Sequence, residues 1–260
     1  MEMGLRGKIA LVTGSSRGIG RGIALAFAAE GCDLMLTGRD AAALEEVAKA
    51  IRANGCRAAI SVLDLREEAA PKALVDAVRR EFGHLDILIN NAGTTKRGDF
   101  FELTEADWVD GYALKLFAHV RLARAAWPLL KERRGSLVAI GGTSGRKPEK
   151  QFTIGSSVNA AVAAFTKCLA DLGKEDHVQV NCIHPSLVET ERQWKRIRAE
   201  VERSGLSEDK VREQFCRALG LMRYGTVEDV ADLVTFIVSS RATWLHGATI
   251  DLDGGEIPVL

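Results

Sequence analysis

The alternation of two kinds of segment along its whole length is the feature that most constrains the fold of this chain. Short apolar runs that end at a turn are followed by longer segments whose apolar residues recur at helical spacing. Residues 8–13 form an apolar run typical of a buried parallel strand, and residues 17–30 have helical spacing and stop at Gly31. A strand–helix series of this length favours one doubly wound α/β domain with helices on both faces of a mostly parallel sheet. The predicted strands are seven in number: 8–13, 33–37, 59–63, 85–89, 136–140, 178–183 and 248–252.

The composition argues against several classes of partner and site. Hydrophobic residues make up 47% of the chain, charged residues 27%, and the formal net charge is zero, so we expect neither a nucleic-acid partner nor a membrane partner. The five cysteines are scattered and form no CxxC pair, which favours reduced thiols in a cytoplasmic protein over a zinc site or a disulfide framework. The sequence also shows no secretory signal and no apolar run long enough to span a membrane.

A glycine-rich turn lies between the first predicted strand and the first predicted helix. It has the sequence TGSSRGIG over residues 13–20. Glycines allow the backbone to approach a pyrophosphate closely, and the N-terminus of the following helix offers unpaired N–H groups and a partial positive charge. In this strand–turn–helix context we expect a dinucleotide site rather than an ordinary glycine turn. The expected contacts are Gly14, Ser16, Arg17, Gly18, Ile19 and Gly20.

The end of the second predicted strand indicates which dinucleotide is bound. An acidic residue there would hold the ribose 2′-hydroxyl of NAD, but the strand ends at Thr37 and Gly38 and is followed by Arg39. Arg39 and Arg17 together are suited to pair with a 2′-phosphate. We therefore expect NADP(H) to be favoured over NAD(H). The alternative is that both arginines are solvated surface residues.

The spacing of the glycine turn and several later motifs resemble the short-chain dehydrogenase/reductase family over nearly the whole chain. Asp64 follows the third strand, residues 90–93 form NNAG after the fourth, and residues 180–186 form VNCIHPS, which resembles VNxIxPG with serine in place of glycine. The resemblance implies a single NAD(P)-binding domain of Rossmann type over residues 1–260. It also implies cofactor contacts at Asp64, Leu65, Asn91, Ala92, Gly93, Pro185, Val188 and Thr190.

The resemblance also assigns positions to the family's catalytic asparagine, serine, tyrosine and lysine. In the family the tyrosine exchanges a proton with the substrate oxygen, while the lysine lowers the tyrosine pKa and holds the nicotinamide ribose. The serine orients the substrate, and the asparagine helps to hold a proton-relay water. In this sequence the tyrosine position falls at Gly155, the lysine at Asn159, the serine at Gly142 and the asparagine at Lys115. All four residue types differ, so the usual general acid, worth about 10²–10⁴ in rate, is expected to be absent.

Lysine and asparagine have exchanged places between positions 115 and 159. The exchange predicts that the pocket keeps one ammonium, which enters from position 115 on the wall opposite to position 159. Lys115 is suited to polarise a substrate oxygen, to donate a proton if burial depresses its pKa, or to bind a substrate carboxylate. Asn159, which stands at the lysine position, and Thr143 are the other candidate catalytic residues. The hydroxyl of Thr143, like that of Ser144, can replace the hydrogen bond of the family's serine. The alternative is that Lys115 extends from its helix to solvent and that the hydroxyls of Thr143 and Ser144 have no role in catalysis.

Other candidates carry less weight. Tyr112 lies three residues before Lys115 on nearly the same helix face, where core packing is expected, and His184 is expected to be structural. Residues 191–222 form a charged helical block at the place of the family's substrate-covering segment. Its basic residues and Trp194 favour an acidic or aromatic substrate, whereas the interspersed glutamates make a salt-bridged surface helix an equal alternative.

These observations predict an atypical NADP(H)-dependent oxidoreductase that acts on a small carbonyl or alcohol, with Lys115 as the main ionisable group of its pocket. Two other classes stay open. One is a non-catalytic nucleotide-binding homologue that has lost turnover, and the other is a lyase- or isomerase-like activity on the same scaffold. The resemblance further implies a homodimer or a homotetramer.

Overall fold

One sheet of seven strands organises the protein in the computed structural model, which describes residues 2–258. The strands are β1 (Ile9–Thr13), β2 (Asp33–Gly38), β3 (Ala58–Val62), β4 (Ile87–Asn90), β5 (Ser136–Ile140), β6 (Gln179–Pro185) and β7 (Thr249–Leu252). Their order across the sheet is β3-β2-β1-β4-β5-β6-β7, and every neighbouring pair is parallel. The predicted α/β fold is confirmed, with a sheet that is fully rather than mostly parallel. Residues 1 and 259–260 of the expected domain lie outside the described residues.

Helices cover both faces of this sheet. They are α1 (Gly18–Ala29), α2 (Ala41–Ala53), α3 (Ala70–Phe82), α4 (Glu105–Tyr112), α5 (Ala118–Arg133), α6 (Thr153–Asp176), α7 (Glu191–Ser204), α8 (Glu208–Leu219) and α9 (Val227–Ile237). One core contains Phe27 of α1, Leu44 of α2 and Val234 of α9, and fills one face. A second core contains Leu74 of α3 and Leu122 of α5, and fills the other. Because apolar layers lie on both sides of it, β1 is buried along its whole length.

The sequence predicts a long helix over residues 104–131, with Thr104 as its N-cap and Asp107 three residues on, and in the structure this helix is interrupted. It begins as predicted, because the Thr104 hydroxyl accepts from the backbone N–H of Asp107 and the Asp107 carboxylate accepts from that of Thr104. A π-helical turn over Ala113–Phe117 then separates α4 from α5. A π turn inserts one residue into a helix, and the apolar spacing of the sequence gave no sign of it. Lys115 lies at the middle of this turn.

The charged helical block over residues 191–222 contains two helices, α7 and α8. Gly205 ends α7 and Gly220 ends α8, each with a positive φ that suits glycine. The pair packs through its own small core, which contains Ile197 of α7, Val211 of α8 and Tyr224. Helices α7 and α8 therefore form a separate layer beyond the carboxyl end of β6.

No helix within residues 2–258 is both long enough and apolar enough to cross a bilayer.

Candidate active site

The strand order creates a crevice between β1 and β4. These two strands are neighbours in the sheet, while the chain leaves β1 toward β2 and leaves β4 toward β5, on opposite sides. In parallel α/β sheets, ligands bind at the carboxyl ends of the strands at such a switch point. The glycine turn of residues 13–20 follows β1 and the NNAG segment of residues 90–93 ends β4, so both motifs lie at this crevice.

The glycine turn has the shape of an anion cradle. Gly14 and Gly18 have φ values of +65° and +55°, and a Cβ on Gly20 would lie 2.3 Å from the carbonyl oxygen of Gly14. Within residues 2–258 the side chain of the N-cap residue Arg17 forms no capping hydrogen bond, and the first turn of α1 contains no acidic residue. The N–H groups of the first turn are therefore available to an anion, and the turn fits a dinucleotide pyrophosphate. Ile19, also expected at this site, packs against the hydrophobic core.

Thr13 ties the NNAG segment to the glycine turn. Its hydroxyl accepts hydrogen bonds from the backbone N–H groups of Asn91 and Ala92, both at 2.9 Å. The Asn91 amide donates to the carbonyl oxygen of Thr13 at 2.8 Å. These bonds hold the two motifs as one rigid surface. The sequence analysis did not single out Thr13, although its place at the end of β1 was a usable signal.

Charged side chains lie beyond the carboxyl end of β2. The Arg39 guanidinium is 3.6 Å from the carboxylate of Asp64 and is 63% exposed. Burial opposes the ionisation of Asp64, but hydrogen bonds from Arg66 and the charge of Arg39 hold the pKa of Asp64 below its usual value. Ser16 lies close by, since its hydroxyl would be 3.4 Å from a Cβ on Gly38. A donor-rich surface of this kind suits the ribose of a dinucleotide and a phosphate on it.

The position of Arg17 differs from that of Arg39. Its guanidinium is 3.4 Å from the carboxylate of Glu191 at the start of α7, and both side chains are largely exposed. Arg17 therefore connects the glycine turn with α7.

Leu65 is 4% exposed and belongs to the core beneath the site.

The segment after β6 returns to the glycine turn. Pro185 ends β6, and Val188 forms a parallel bridge with Gly225. Thr190 is the N-cap residue of α7 and lies against the glycine turn, where its Cγ2 would be 3.4 Å from a Cβ on Gly18. This segment thus completes the cofactor side of the crevice.

The Lys115 side chain lies across the carboxyl ends of β4 and β5. Its ammonium donates to the carbonyl oxygen of Gly141 at 3.1 Å, so it does not simply extend to solvent. Its aliphatic stem runs past Gly93, where an added Cβ would be 3.0 Å from Cδ of the lysine. Burial, and next the charge of Arg192, lower the pKa of the ammonium to about 8. Gly141 and Arg192 are contacts that the sequence analysis did not identify.

Other side chains already occupy the space beside the positions assigned to the family's tyrosine and lysine. A Cβ on Gly155 would lie 2.1 Å from the ring of Phe152, so this ring occupies the direction in which a side chain would leave position 155. The Asn159 amide donates to the hydroxyl of Ser144 at 2.9 Å, and its Oδ1 is buried with no hydrogen-bond partner among residues 2–258. Thr143, next to Ser144, is 8% exposed. Phe152 carried no recognisable signal in the sequence.

Two histidines near the site are neutral at physiological pH. Burial and the charge of Lys115 lower the pKa of His119 to about 3, although its ring nitrogen contacts the carbonyl oxygen of Ala92 at 3.2 Å. Burial, followed by the charge of Lys115, lowers the pKa of His184 to about 4. Tyr112, the other weak candidate, stacks on Trp108 with ring centroids 6.4 Å apart. Among Lys115, His119 and His184, only the pKa of Lys115 lies near neutrality.

Sequence comparison identifies the family. The profile of short chain dehydrogenase matches residues 8–201. The 3-oxoacyl-acyl-carrier-protein reductase of Escherichia coli is 30% identical over 257 residues, which cover 97% of this chain and 98% of that protein. The chain therefore belongs to the short-chain dehydrogenase family, a family of oxidoreductases that bind a nicotinamide cofactor.

Solved structures agree with this assignment. L-sorbose reductase from Gluconobacter frateurii, complexed with NADPH and L-sorbose, has a TM-score of 0.96 and 32% sequence identity, with 100% of both chains covered. A 7α-hydroxysteroid dehydrogenase, complexed with NADH and 7-oxo glycochenodeoxycholic acid, has a TM-score of 0.87 and 26% identity, with 100% of this chain and 98% of that chain covered. The Rossmann-type fold of the chain is thus shared with enzymes of known structure.

Proposed function

We propose that this protein is an atypical NADP(H)-dependent oxidoreductase that acts on a small carbonyl or alcohol, with Lys115 as its acid–base group. The observation that carries the proposal is the place of the Lys115 side chain, whose ammonium is bound to the Gly141 carbonyl and whose stem passes Gly93. Both glycines follow strands of the crevice in which the family binds its cofactor. With a pKa of about 8, Lys115 holds and releases a proton near neutral pH, as an efficient general acid must.

Each residue of the candidate site has a separate role in the proposed reaction. Bound NADP(H) supplies or accepts the hydride. In the direction of reduction, the Lys115 ammonium donates a proton to the substrate oxygen, and water reprotonates the resulting amine. The Gly141 carbonyl holds one N–H of the ammonium and so orients the other two. Asn159, whose buried Oδ1 has no hydrogen-bond partner among residues 2–258, would hold a ribose hydroxyl of the cofactor, and the Thr143 hydroxyl would position the substrate. In the reverse direction the Lys115 amine accepts the proton of the alcohol.

The preference for NADP(H) rests on the surface beyond β2. Arg39 is exposed there, and β2 ends at Gly38 without an acid that would repel a 2′-phosphate. NADPH in the L-sorbose reductase structure supports the same preference, while NADH in the 7α-hydroxysteroid dehydrogenase structure shows that relatives differ. We expect the remaining predicted contacts of the glycine turn, the NNAG segment and residues 185–190 to hold the pyrophosphate and the nicotinamide half.

We also propose that residues 191–222 cover the substrate and that the protein is a homodimer or homotetramer. The first proposal is supported by contacts of α7 with Arg17 and Gly93 on the cofactor side. The second is supported by large apolar side chains that are more than one-third exposed, including Phe117 at 47% and Leu172 at 55%. Light scattering coupled to size-exclusion chromatography measures the assembly, and a monomeric mass would contradict it. Buried reduced thiols such as Cys182 suit a cytoplasmic location.

The experiment that tests the function replaces Lys115 by methionine. Methionine keeps an apolar stem of similar length and removes the charge. We expect Lys115→Met to lower kcat/KM on a panel of small ketones and aldehydes by about 10²–10⁴, the usual worth of a general acid, while the Kd of NADPH changes little. Lys150→Met, at an exposed lysine of the loop before α6, is the matched control and should keep full activity.

A specific observation favours a second candidate, a nucleotide-binding protein without turnover. The Phe152 ring fills the direction in which a side chain would leave position 155, where the family's tyrosine is expected. The same experiment separates the two. Tight NADPH binding without turnover of any substrate on the panel, or turnover that Lys115→Met leaves intact, would support this candidate and overturn a catalytic role for Lys115.

A further inference from the structure

Positive side chains of α7 gather at the mouth of the crevice, and one of them, Arg192, lies near Lys115. Arg192 of α7 donates to the carbonyl oxygen of Gly93 at 3.0 Å, next to the lysine stem, and its charge contributes to the lowered pKa of the ammonium. Arg196 lies one helical turn further along α7, and Arg97 lies in the loop after β4, near enough for its charge to act on Arg196. Residues four apart on a helix share a face, so Arg192 and Arg196 project from the same side of α7.

Few carboxylates balance these charges. The charge of Glu149 acts on Arg196, but both oxygens of Glu149 bind the Arg97 guanidinium, at 2.6 and 3.1 Å. Glu200 lies one turn beyond Arg196 but is bound by Arg203 through two hydrogen bonds. Within residues 2–258, neither Arg192 nor Arg196 has a carboxylate within ion-pair distance.

Arg196 is held in place without being neutralised. Its guanidinium lies 4.6 Å from the ring centroid of Phe215, a stacked position that leaves its N–H groups at the edge free for a ligand. Burial lowers the pKa of Arg196, and the charge of Arg97 adds to this effect, as expected where like charges gather in a partly desolvated place. A ligand that brings negative charge relieves this repulsion, and a carboxylate matches the guanidinium fork.

We propose that the substrate is an oxo acid, a carbonyl compound that carries a carboxylate, and that Arg196 assisted by Arg192 binds the carboxylate. The proposal rests on the proposed function, because it places the carbonyl oxygen at Lys115. In this arrangement α7 binds the carboxylate of the substrate, and Lys115 donates its proton to the carbonyl oxygen. Arg192 relates the two ends, because its guanidinium binds the carbonyl oxygen of Gly93, past which the stem of Lys115 runs.

The experiment compares acids with neutral analogues of the same skeleton. Pyruvate, acetoacetate and levulinate place the carboxylate one, two and three carbons from the ketone, and their methyl esters remove the charge. We expect at least one acid to be reduced with a kcat/KM about 10-fold or more above that of its ester. Arg196→Gln should reduce that acid-to-ester ratio by about 10-fold, chiefly through the KM of the acid. Arg198→Gln is the matched control, because Arg198 lies on the same helix but faces a groove lined by Arg21 and Asp232.

A binding measurement separates this proposal from the proposed function. In the protein loaded with NADP⁺, which cannot reduce a ketone, the binding of each acid is measured by isothermal titration calorimetry. Saturable binding of an acid but not of its ester, weakened by Arg196→Gln, supports the carboxylate site even if nothing is turned over. Equal kcat/KM for acids and esters, or an Arg196→Gln variant that keeps the wild-type ratio, overturns the carboxylate site and leaves the role of Lys115 intact.

Discussion

Single residues determine the chemistry that is available in the crevice, and two glycines leave room for Lys115 and Asn159. A side chain at Gly93 would meet the stem of Lys115 at 3.0 Å, and one at Gly142 would meet the amide of Asn159 at 2.8 Å. The lysine and the asparagine therefore use space that a larger residue at either glycine would fill. The proposed exchange of ammonium and amide across the pocket is thus consistent with its close packing.

Position 155 gives a prediction on stability. Gly155→Ala places a Cβ where the Phe152 ring lies, and that ring is itself held under the Arg97 guanidinium at 4.1 Å. We expect a steric cost of about 1–3 kcal/mol, which exceeds the roughly 1 kcal/mol that alanine gains over glycine in a helix. Urea denaturation measures the net loss. In the Phe152→Ala background the same change should be neutral or stabilising, and an equal loss in both backgrounds would show that the ring is not the cause.

Position 39 gives a prediction on cofactor choice. Arg39→Ala removes the guanidinium proposed to pair with the 2′-phosphate, so the Kd of NADPH should rise by about 10-fold or more while that of NADH changes little. Quenching of protein fluorescence by each nucleotide measures both constants. Arg21→Ala, at an exposed arginine of α1, is the matched control. If the Arg39→Ala protein kept its full preference for NADPH, the proposed phosphate site would be wrong.

At the scale of elements, α7 and α9 are attached in different ways. Helix α9 packs on α1 through buried side chains such as Val230 and Val234, in the main core. Helix α7 has one fully buried residue, Ile197, and meets the cofactor side through polar contacts of Glu191 and Arg192. An element with few buried apolar contacts opens locally at low free energy, so α7 is expected to be the more mobile of the two.

Amide hydrogen exchange tests whether α7 covers the site. Bound NADPH adds contacts beside the start of α7, so exchange of the amides in residues 191–204 should slow about 10-fold or more, whereas exchange in α9 should change little. Mass spectrometry of peptic fragments measures both helices in one experiment. Protection confined to the glycine turn and the NNAG segment would contradict a covering role for α7.

Some elements were predictable from sequence, and others depend on packing. Strand β5 has the predicted bounds, 136–140, because a buried strand is a short apolar run between turn residues. The capping box at Thr104 was visible for a similar local reason. The π turn that contains Lys115 was not, because one inserted residue barely changes the apolar spacing. The place of the Phe152 ring depends on side-chain contacts with Arg97, which sequence spacing does not encode.

At the scale of the whole molecule, the parallel sheet brings distant segments to one edge. The glycine turn, the NNAG segment and residues 141–144 all follow strands, so their convergence could be predicted from strand order alone. The direction of the Lys115 side chain and the approach of Arg192 to Gly93 could not, because they depend on how α5 and α7 pack over that edge. The fold thus determines the location of the site, and tertiary packing determines the protonation state of its lysine.

The pH dependence of carbonyl reduction tests the central claim most directly. The pKa of Lys115 lies below its ordinary value, at about 8, so the donating ammonium is fully present below that pH and is lost as the pH rises through it. We expect kcat/KM to be level up to about pH 7 and to fall tenfold per pH unit well above pH 8, and we expect the Lys115→Met variant to lack this break. A break that survives in Lys115→Met, or a wild-type profile without one, would contradict the claim.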